Sequence, residues 1–182
     1  MIVVNIFGAP GDGKSTTAAG VFAQLKLGGV NAELVTEAAK EWTWERTEVP
    51  LRWQPKVFGE QSYRIERLAG QVDVVVTDSP VLLSLLYAPA DMPPAFAELV
   101  RWAHRRHPTV NVRVRRPETR SYQQAGRWQT EAESAEIGRR LDALLLEEGV
   151  VPLEVPSDLY APTDIAPVVM RQLRRHVSKE TT

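Results

Sequence analysis

No cysteine occurs among the 182 residues. That excludes disulfides, thiolate nucleophiles and Cys-based zinc sites, and it suits a reducing compartment. Histidine is scarce as well: His104, His107 and His176 are scattered and do not make a metal-ligand set. No apolar run approaches the ~20 residues that cross a bilayer, and the chain starts directly on a short hydrophobic run without a basic leader. We therefore expect a soluble, cytoplasmic protein with no membrane partner. Repeats and low-complexity linkers are also missing, and the length is short for two full domains, so one domain over residues 1–182 is expected. A global basic excess, the usual footprint of non-specific nucleic-acid binders, is absent too, since the net charge is −1. The charge is uneven, however. From Arg101 to Arg127 eight arginines (Arg101, Arg105, Arg106, Arg113, Arg115, Arg116, Arg120, Arg127) face a single acid, Glu118.

What is present begins with Gly8-Ala9-Pro10-Gly11-Asp12-Gly13-Lys14-Ser15, followed by Thr16. The pattern G-x-x-x-x-G-K-[ST] makes a loop whose backbone N–H groups cradle phosphates, whose Lys reaches the β and γ phosphates, and whose hydroxyl reaches Mg²⁺. Its context supports that reading. The β-branched run Ile2 to Phe7 suits a buried parallel strand, and Thr16 to Leu27 suits a helix whose N-terminal dipole favours anions. The pattern thus predicts a nucleotide site at residues 8 to 16, with ATP and Mg²⁺ as the implied cofactors.

The rest alternates strand and helix. Gly28-Gly29 stops the first helix, and strands are expected at 32–36, 72–77, 110–114 and 150–155. Helices are expected from 38 to 44, 56 to 70, 95 to 107, 131 to 148 and 163 to 177, with an apolar segment over 80–87 and an irregular stretch over 45–55. Thr130 followed by Glu133 is a capping box that marks where the helix from 131 begins. Five strands alternating with helices predict an α/β fold, a doubly wound parallel five-stranded sheet, with an arginine-rich lid loop at about 115–130 and an acceptor-binding region at about 38–70.

In such sheets ligands collect at the carboxyl ends of the strands. Asp78 closes the hydrophobic run Val72 to Thr77, where a carboxylate holds Mg²⁺ directly or through water, or accepts a proton from an attacking hydroxyl. Glu37 occupies the equivalent end of the second strand. Which of the two is the base is open at this stage; Ser15 and Asp78 are the metal candidates. Arginines on a mobile segment neutralise charge on a transferring γ-phosphate. Arg115, Arg116, Arg120 and Arg127 lie on one such segment with Gly126 as a hinge, and Arg120 and Arg127 are expected nearest the phosphates; Arg115 and Arg116 have binding of an acceptor phosphate as an alternative. The catalytic candidates are thus Lys14, Glu37, Asp78, Arg120 and Arg127. Trp42, Trp44, Trp53, Phe58 and Tyr63 fall in the 38–70 region, where packing is the main expectation and stacking on an acceptor base the alternative. Pro156-Ser157-Asp158 marks a fifth strand end without an assigned task.

The phosphate loop together with Thr36-Glu37-Ala38-Ala39-Lys40-Glu41-Trp42, Thr77-Asp78-Ser79-Pro80 and the stretch Tyr122 to Glu131 (YQQAGRWQTE) resembles a group of small phosphate-loop kinases of bacteriophages. That group is similar to nucleotide and nucleoside kinases and to ribosylnicotinamide-kinase-type ATPase domains. The resemblance spans nearly the whole chain. It implies a nucleotide-kinase-like fold, ATP-dependent phosphoryl transfer, Lys14 and Ser15 on the phosphates and Mg²⁺, Asp78 as the acidic catalytic residue, and the arginine loop as lid. Some members resemble phage enzymes that phosphorylate 5-hydroxymethyluracil within DNA. The favoured acceptor is accordingly a modified base in DNA, with a free nucleotide or nucleoside next, and the compartment is the host cytoplasm if the gene is a phage's. Ordinary nucleoside monophosphate kinases differ by an Asp-Arg pair after the third strand, where Ser79 stands here. No Asn-Lys-x-Asp guanine motif and no Ser-Gly-Gly signature occur, which disfavours a GTPase switch and a transporter-type ATPase. A nucleotide-binding regulatory module without kinase activity is the alternative of a different class.

Overall fold

A computed structural model describes residues 1–44, 53–123 and 129–180. Its five strands, β1 (Ile2–Phe7), β2 (Ala32–Val35), β3 (Val74–Thr77), β4 (Thr109–Arg115) and β5 (Leu153–Pro156), form one sheet in the order β2-β3-β1-β4-β5. All four pairings are parallel. Parallel neighbours need a crossover, and the helices supply it. They are α1 (Lys14–Leu27), α2 (Ala38–Trp44), α3 (Gln54–Glu66), α4 (Leu83–Tyr87), α5 (Pro94–His104), α6 (Glu131–Glu147) and α7 (Ala161–Glu180).

Side-chain alternation along β1 decides which helical layer each residue joins. Ile2, Val4 and Ile6 pack with Ala18, Val21 and Leu25 of α1 and with Ile165 and Val169 of α7. Val3 and Phe7 point the other way, into a second core with Phe58 and Ile65 of α3, Phe96 and Val100 of α5, and Leu141 and Leu145 of α6. A strand covered on both faces has no place for polar alternation, which is why β1 and β3 are almost wholly hydrophobic, the buried Asn5 of β1 being satisfied by donating to Asn111 Oδ1 at 2.9 Å. Val74, Val75 and Val76 are each fully buried, and such burial stabilises by roughly 1.5–3 kcal/mol per side chain.

The expected doubly wound parallel sheet is therefore the observed one, and its boundaries shift for identifiable reasons. The fifth strand starts at Leu153 and not at Val150, because the Val150 N–H is used to close α6 on the Leu145 carbonyl at 2.8 Å. The third starts at Val74: Asp73 lies before it, donating its N–H to the Asn31 carbonyl (2.9 Å) and accepting from Ile2 N–H (2.8 Å). The apolar 80–87 segment contains the short helix α4. The Thr130 and Glu133 capping box is present in full at the start of α6. Of the irregular 45–55 stretch, residues 45–52 lie outside the described residues. Among the described residues, no helix is long and apolar enough to cross a membrane.

Candidate active site

The carboxyl ends of β1, β2 and β3 lie side by side in the sheet, so the segments that follow them converge. After β1 the loop turns through Gly11 (φ 87°) and Gly13 (φ 92°), both in the left-handed region that favours glycine. Gly13 is also the N-cap of α1, and no side chain caps the helix there. The first-turn N–H groups of α1 are thus left to an anion, with the helix dipole behind them. In the loop the Lys14 Nζ lies 3.3 Å from the Ala9 carbonyl.

Asp78 follows β3 directly. It is 2% exposed, and its Oδ1 is buried with no hydrogen-bond partner. An unpartnered buried carboxylate oxygen costs free energy unless something else satisfies it. A hydroxyl, a water or a Mg²⁺ ion beside the phosphate loop would do so, and oxygen donors such as Ser15 and Asp78 are the type that Mg²⁺ takes.

Glu37 ends the second strand segment and precedes α2. Burial pushes its carboxyl well above the usual range; Lys14 opposes that and Asp78 reinforces it. The three residues expected to act together are thus close enough to sense one another electrostatically. Gln61 of α3, buried, holds the two strand ends in register. Its Oε1 accepts the Ala38 N–H (3.1 Å), at the start of the helix after Glu37, and its Nε2 donates to Thr77 Oγ1 (3.3 Å), next to Asp78.

Two further residues border this cleft without a strand-end position to reveal them. Tyr87 is 42% exposed, but desolvation of its hydroxyl pushes that group's pKa up to about 12, with the Glu37 charge adding to the shift and Arg140 opposing it. Arg140 of α6 donates from Nη2 to the Leu86 carbonyl at 2.6 Å. Their sequence neighbourhoods carry no signal, because only the packing of α6 against α4 brings them there.

The basic segment is not one open surface. Arg101 pairs with Glu148, Arg106 with Glu66, Arg115 with Asp142 and Glu154, and Arg116 with Glu131. Arg120 lies against the phosphate loop. Its Nη1 donates to the Ser157 carbonyl (2.8 Å), and its Nη2 donates to Ser157 Oγ (2.6 Å) and to the Asp12 carbonyl (3.3 Å). Ser157, from the unassigned fifth strand end, is thereby its partner, whereas Asp158 caps the turn before α7 by accepting the Tyr160 and Ala161 N–H groups. Arg127, its hinge Gly126 and the rest of 124–128 lie outside the described residues.

The aromatics separate. Phe58 is core, edge-on to Phe96 at 5.7 Å, while Trp42 lies under Lys56 Nζ. Trp53 and Tyr63 are exposed, at 63% and 62%. The side chain of Trp44 is outside the described residues.

Sequence reasoning missed Arg113. It stands in β4 opposite Phe7, one residue before the loop begins, and is 2% exposed. Its Nη1 donates to Asp12 Oδ2 (2.8 Å) and its Nε to Asp142 Oδ1 (2.9 Å). Burial alone would raise Asp142, but Arg113 and Arg115 outweigh it and hold that carboxyl below its usual range.

No curated protein matches the chain. A family model described as an AAA domain matches residues 3–161, from within β1 through the phosphate loop, the strand-end acids and the arginine-rich stretch to the first residue of α7. With its phosphate loop on a five-stranded parallel sheet, the chain belongs to this AAA-domain family of phosphate-loop, nucleotide-binding ATPases.

Proposed function

We infer that the protein is an ATP-dependent kinase that transfers the γ-phosphate to a hydroxyl of a nucleotide-type acceptor. The observation that carries the reading is the pair of carboxylates, half-buried Glu37 and buried Asp78, at adjacent strand ends within electrostatic reach of Lys14. Binding a nucleotide needs the loop and a cation; two acids facing it suit removal of a proton from an acceptor.

In this mechanism the loop amides and Lys14 hold the triphosphate. The acceptor oxygen forms a bond to the γ-phosphorus as the bond from that phosphorus to the β-γ bridging oxygen breaks, leaving ADP, and the acceptor proton passes to a carboxylate. We assign that proton to Glu37, whose pKa is raised by desolvation so that its carboxylate is a stronger base than a free one, and the metal side to Asp78 with Ser15. A Mg²⁺ ion held there supplies charge neutralisation at the β and γ phosphates. Arg120, already on the loop, adds to the electrostatic shell, a role we also propose for Arg127.

For the acceptor we propose 5-hydroxymethyluracil in DNA. Support comes from the resemblance to phage kinases and from the exposed Trp53 and Tyr63, which are available for stacking. The ion-paired arginines lend it less than the raw sequence count suggests. The test is a screen with γ-labelled ATP against hydroxymethyluracil-containing single-stranded and duplex DNA, free nucleotides and nucleosides. Label in the modified DNA, favoured in single strands and weakened by salt, is the expected result. Label confined to free nucleotides overturns the DNA acceptor. ATP hydrolysis with every acceptor unlabelled overturns the kinase and leaves a regulatory ATPase.

A further inference from the structure

An aspartate inside a phosphate-binding loop is a physical contradiction unless its charge is dealt with. Asp12 resolves half of it locally, since its Oδ2 accepts the Ala9 N–H at 2.8 Å and so shapes the turn. The same oxygen accepts from Arg113 Nη1 at 2.8 Å. Arg113 is almost completely buried beneath the loop, with side-chain exposure of 3% against 15% for Asp12. A buried guanidinium must be paired, and this one is paired twice: Nη1 also donates to the Val114 carbonyl (2.6 Å), and Nε reaches Asp142.

Asp142 is not isolated either. It lies on α6, whose residues 134, 138 and 142 are spaced by four and share one face. Ser134 Oγ donates to the Pro10 carbonyl at 2.5 Å. Gly138 lies directly under the loop, a Cβ there meeting Ala9 Cβ and Arg113 Nη2 in ordinary van der Waals contact at 3.6 Å each. That face of α6 therefore seats the loop from Pro10 through Asp12, with Arg113 as the connection between the loop's acid and the helix's acid.

We propose that Arg113 is a positioning residue of the phosphate site: it neutralises Asp12 and fixes it in the turn, so that the loop presents its amides to a triphosphate without an opposing negative charge. Without Arg113, Asp12 would face both Asp142 and the incoming phosphates unpaired. The effect should be specific to phosphate-bearing ligands. The proposal rests only on the nucleotide-binding part of the reading above, not on kinase activity.

The test uses the full chain and compares dissociation constants for ATP and for adenosine, with thermal unfolding recorded for every variant. Arg113→Met should weaken ATP at least 10-fold while adenosine changes less than 2-fold. Adding Asp12→Asn to Arg113→Met should recover at least 3-fold of the lost ATP affinity, because the amide still accepts the Ala9 N–H but carries no charge. If Arg113→Met does not fold, Arg113→Gln with and without Asp12→Asn gives the same comparison, as Gln removes the charge but keeps amide donors for the buried acceptors. ATP binding that is indifferent to Arg113, an equal loss for adenosine, or a double variant no better than the single one overturns the proposal. Failure of the wild-type chain to bind ATP overturns the nucleotide reading itself and is seen first.

Discussion

On the kinase reading, the phosphate loop of the donor side and the acids at the neighbouring strand ends are built on opposite principles. Around the phosphate loop the described polar contacts close on one another: Asp12 on Ala9 and Arg113, Arg113 on Asp142, Arg120 on Ser157 and the Asp12 carbonyl. A few residues away Asp78 keeps a buried oxygen unpartnered, and Glu37 is held in a place that disfavours its charge. Closed networks rigidify and preorganise, whereas unsatisfied groups wait for a ligand. The difference teaches that the shape of the phosphate loop is finished by the fold, its amides awaiting a phosphate, whereas the strand-end acids are finished by what binds there, the metal at Asp78 and the acceptor at Glu37 on this reading.

The largest effect should come from breaking the donor side outright. Lys14→Ala removes the cation that meets the β and γ phosphates, and phosphoryl transfer should fall on the order of 10³-fold or more with the thermal transition intact. Transfer at the wild-type rate would remove the phosphate loop from the mechanism. Asp78→Asn comes next. It should lower transfer on the order of 10²-fold and weaken ATP binding only when Mg²⁺ is present, so isothermal titration with and without Mg²⁺ separates a metal role from a purely acceptor-side one.

Glu37→Gln sharpens the comparison further, because it should leave ATP affinity alone while removing a pH limb. A base with a raised pKa must lose its proton to work, so the wild-type rate should climb with pH through a point above the usual carboxylate range, and the variant should lack that climb and lose about 10²-fold. Stability has the opposite sign. A carboxyl whose folded pKa exceeds its unfolded value of 4.5 adds stability that is fully present below pH 4.5 and is lost as pH rises through the folded pKa. Glu37→Gln should therefore raise the neutral-pH melting temperature by a few degrees and flatten its decline with pH. An unchanged melting curve would show that Glu37 is not desolvated.

The two sides also differ in how readily a sequence displays them. The loop, the strand that feeds it and the acids after the second and third strands are local signals, each fixed by its own neighbours in the chain. Arg113 looked like one more member of a basic stretch, because its task follows from the register that sets it opposite Phe7 and from α6 packing above. Register and interhelical packing are non-local, and no periodicity within β4 encodes them. The same holds for Tyr87, Arg140 and the Gln61 bridge. Charge counting failed for a related reason: the acids that pair with Arg101, Arg106, Arg115 and Arg116 come from distant segments, so a stretch with one acid in sequence is well neutralised in space.

The smallest predicted effect asks whether the donor side extends to the surface. The Thr130 Oγ1 accepts the Glu133 N–H while the Glu133 carboxylate accepts the Thr130 N–H at 2.7 Å, and one turn on, Ser134 bonds the Pro10 carbonyl of the loop. Thr130→Ala should lower the melting temperature by ~2–4 °C, the usual scale for a lost cap in a chain of this size. Its Thr130 bonds hold the Glu133 carboxyl below the usual range, backbone first, so this stabilisation is present above pH 4.5 and disappears as pH falls through the lowered value. The gap between variant and wild type should narrow in acid without closing, because the Thr130 Oγ1 bond to the Glu133 N–H does not depend on the carboxylate. Because the first turn of α6 lies under Pro10, the cap variant should also weaken ATP binding slightly, about 2-fold, while leaving the Glu37 pH limb where it was. A shift of that limb instead would mean that α6 serves the acceptor side, and the division between a closed phosphate loop and open strand-end acids would have to be redrawn along that helix.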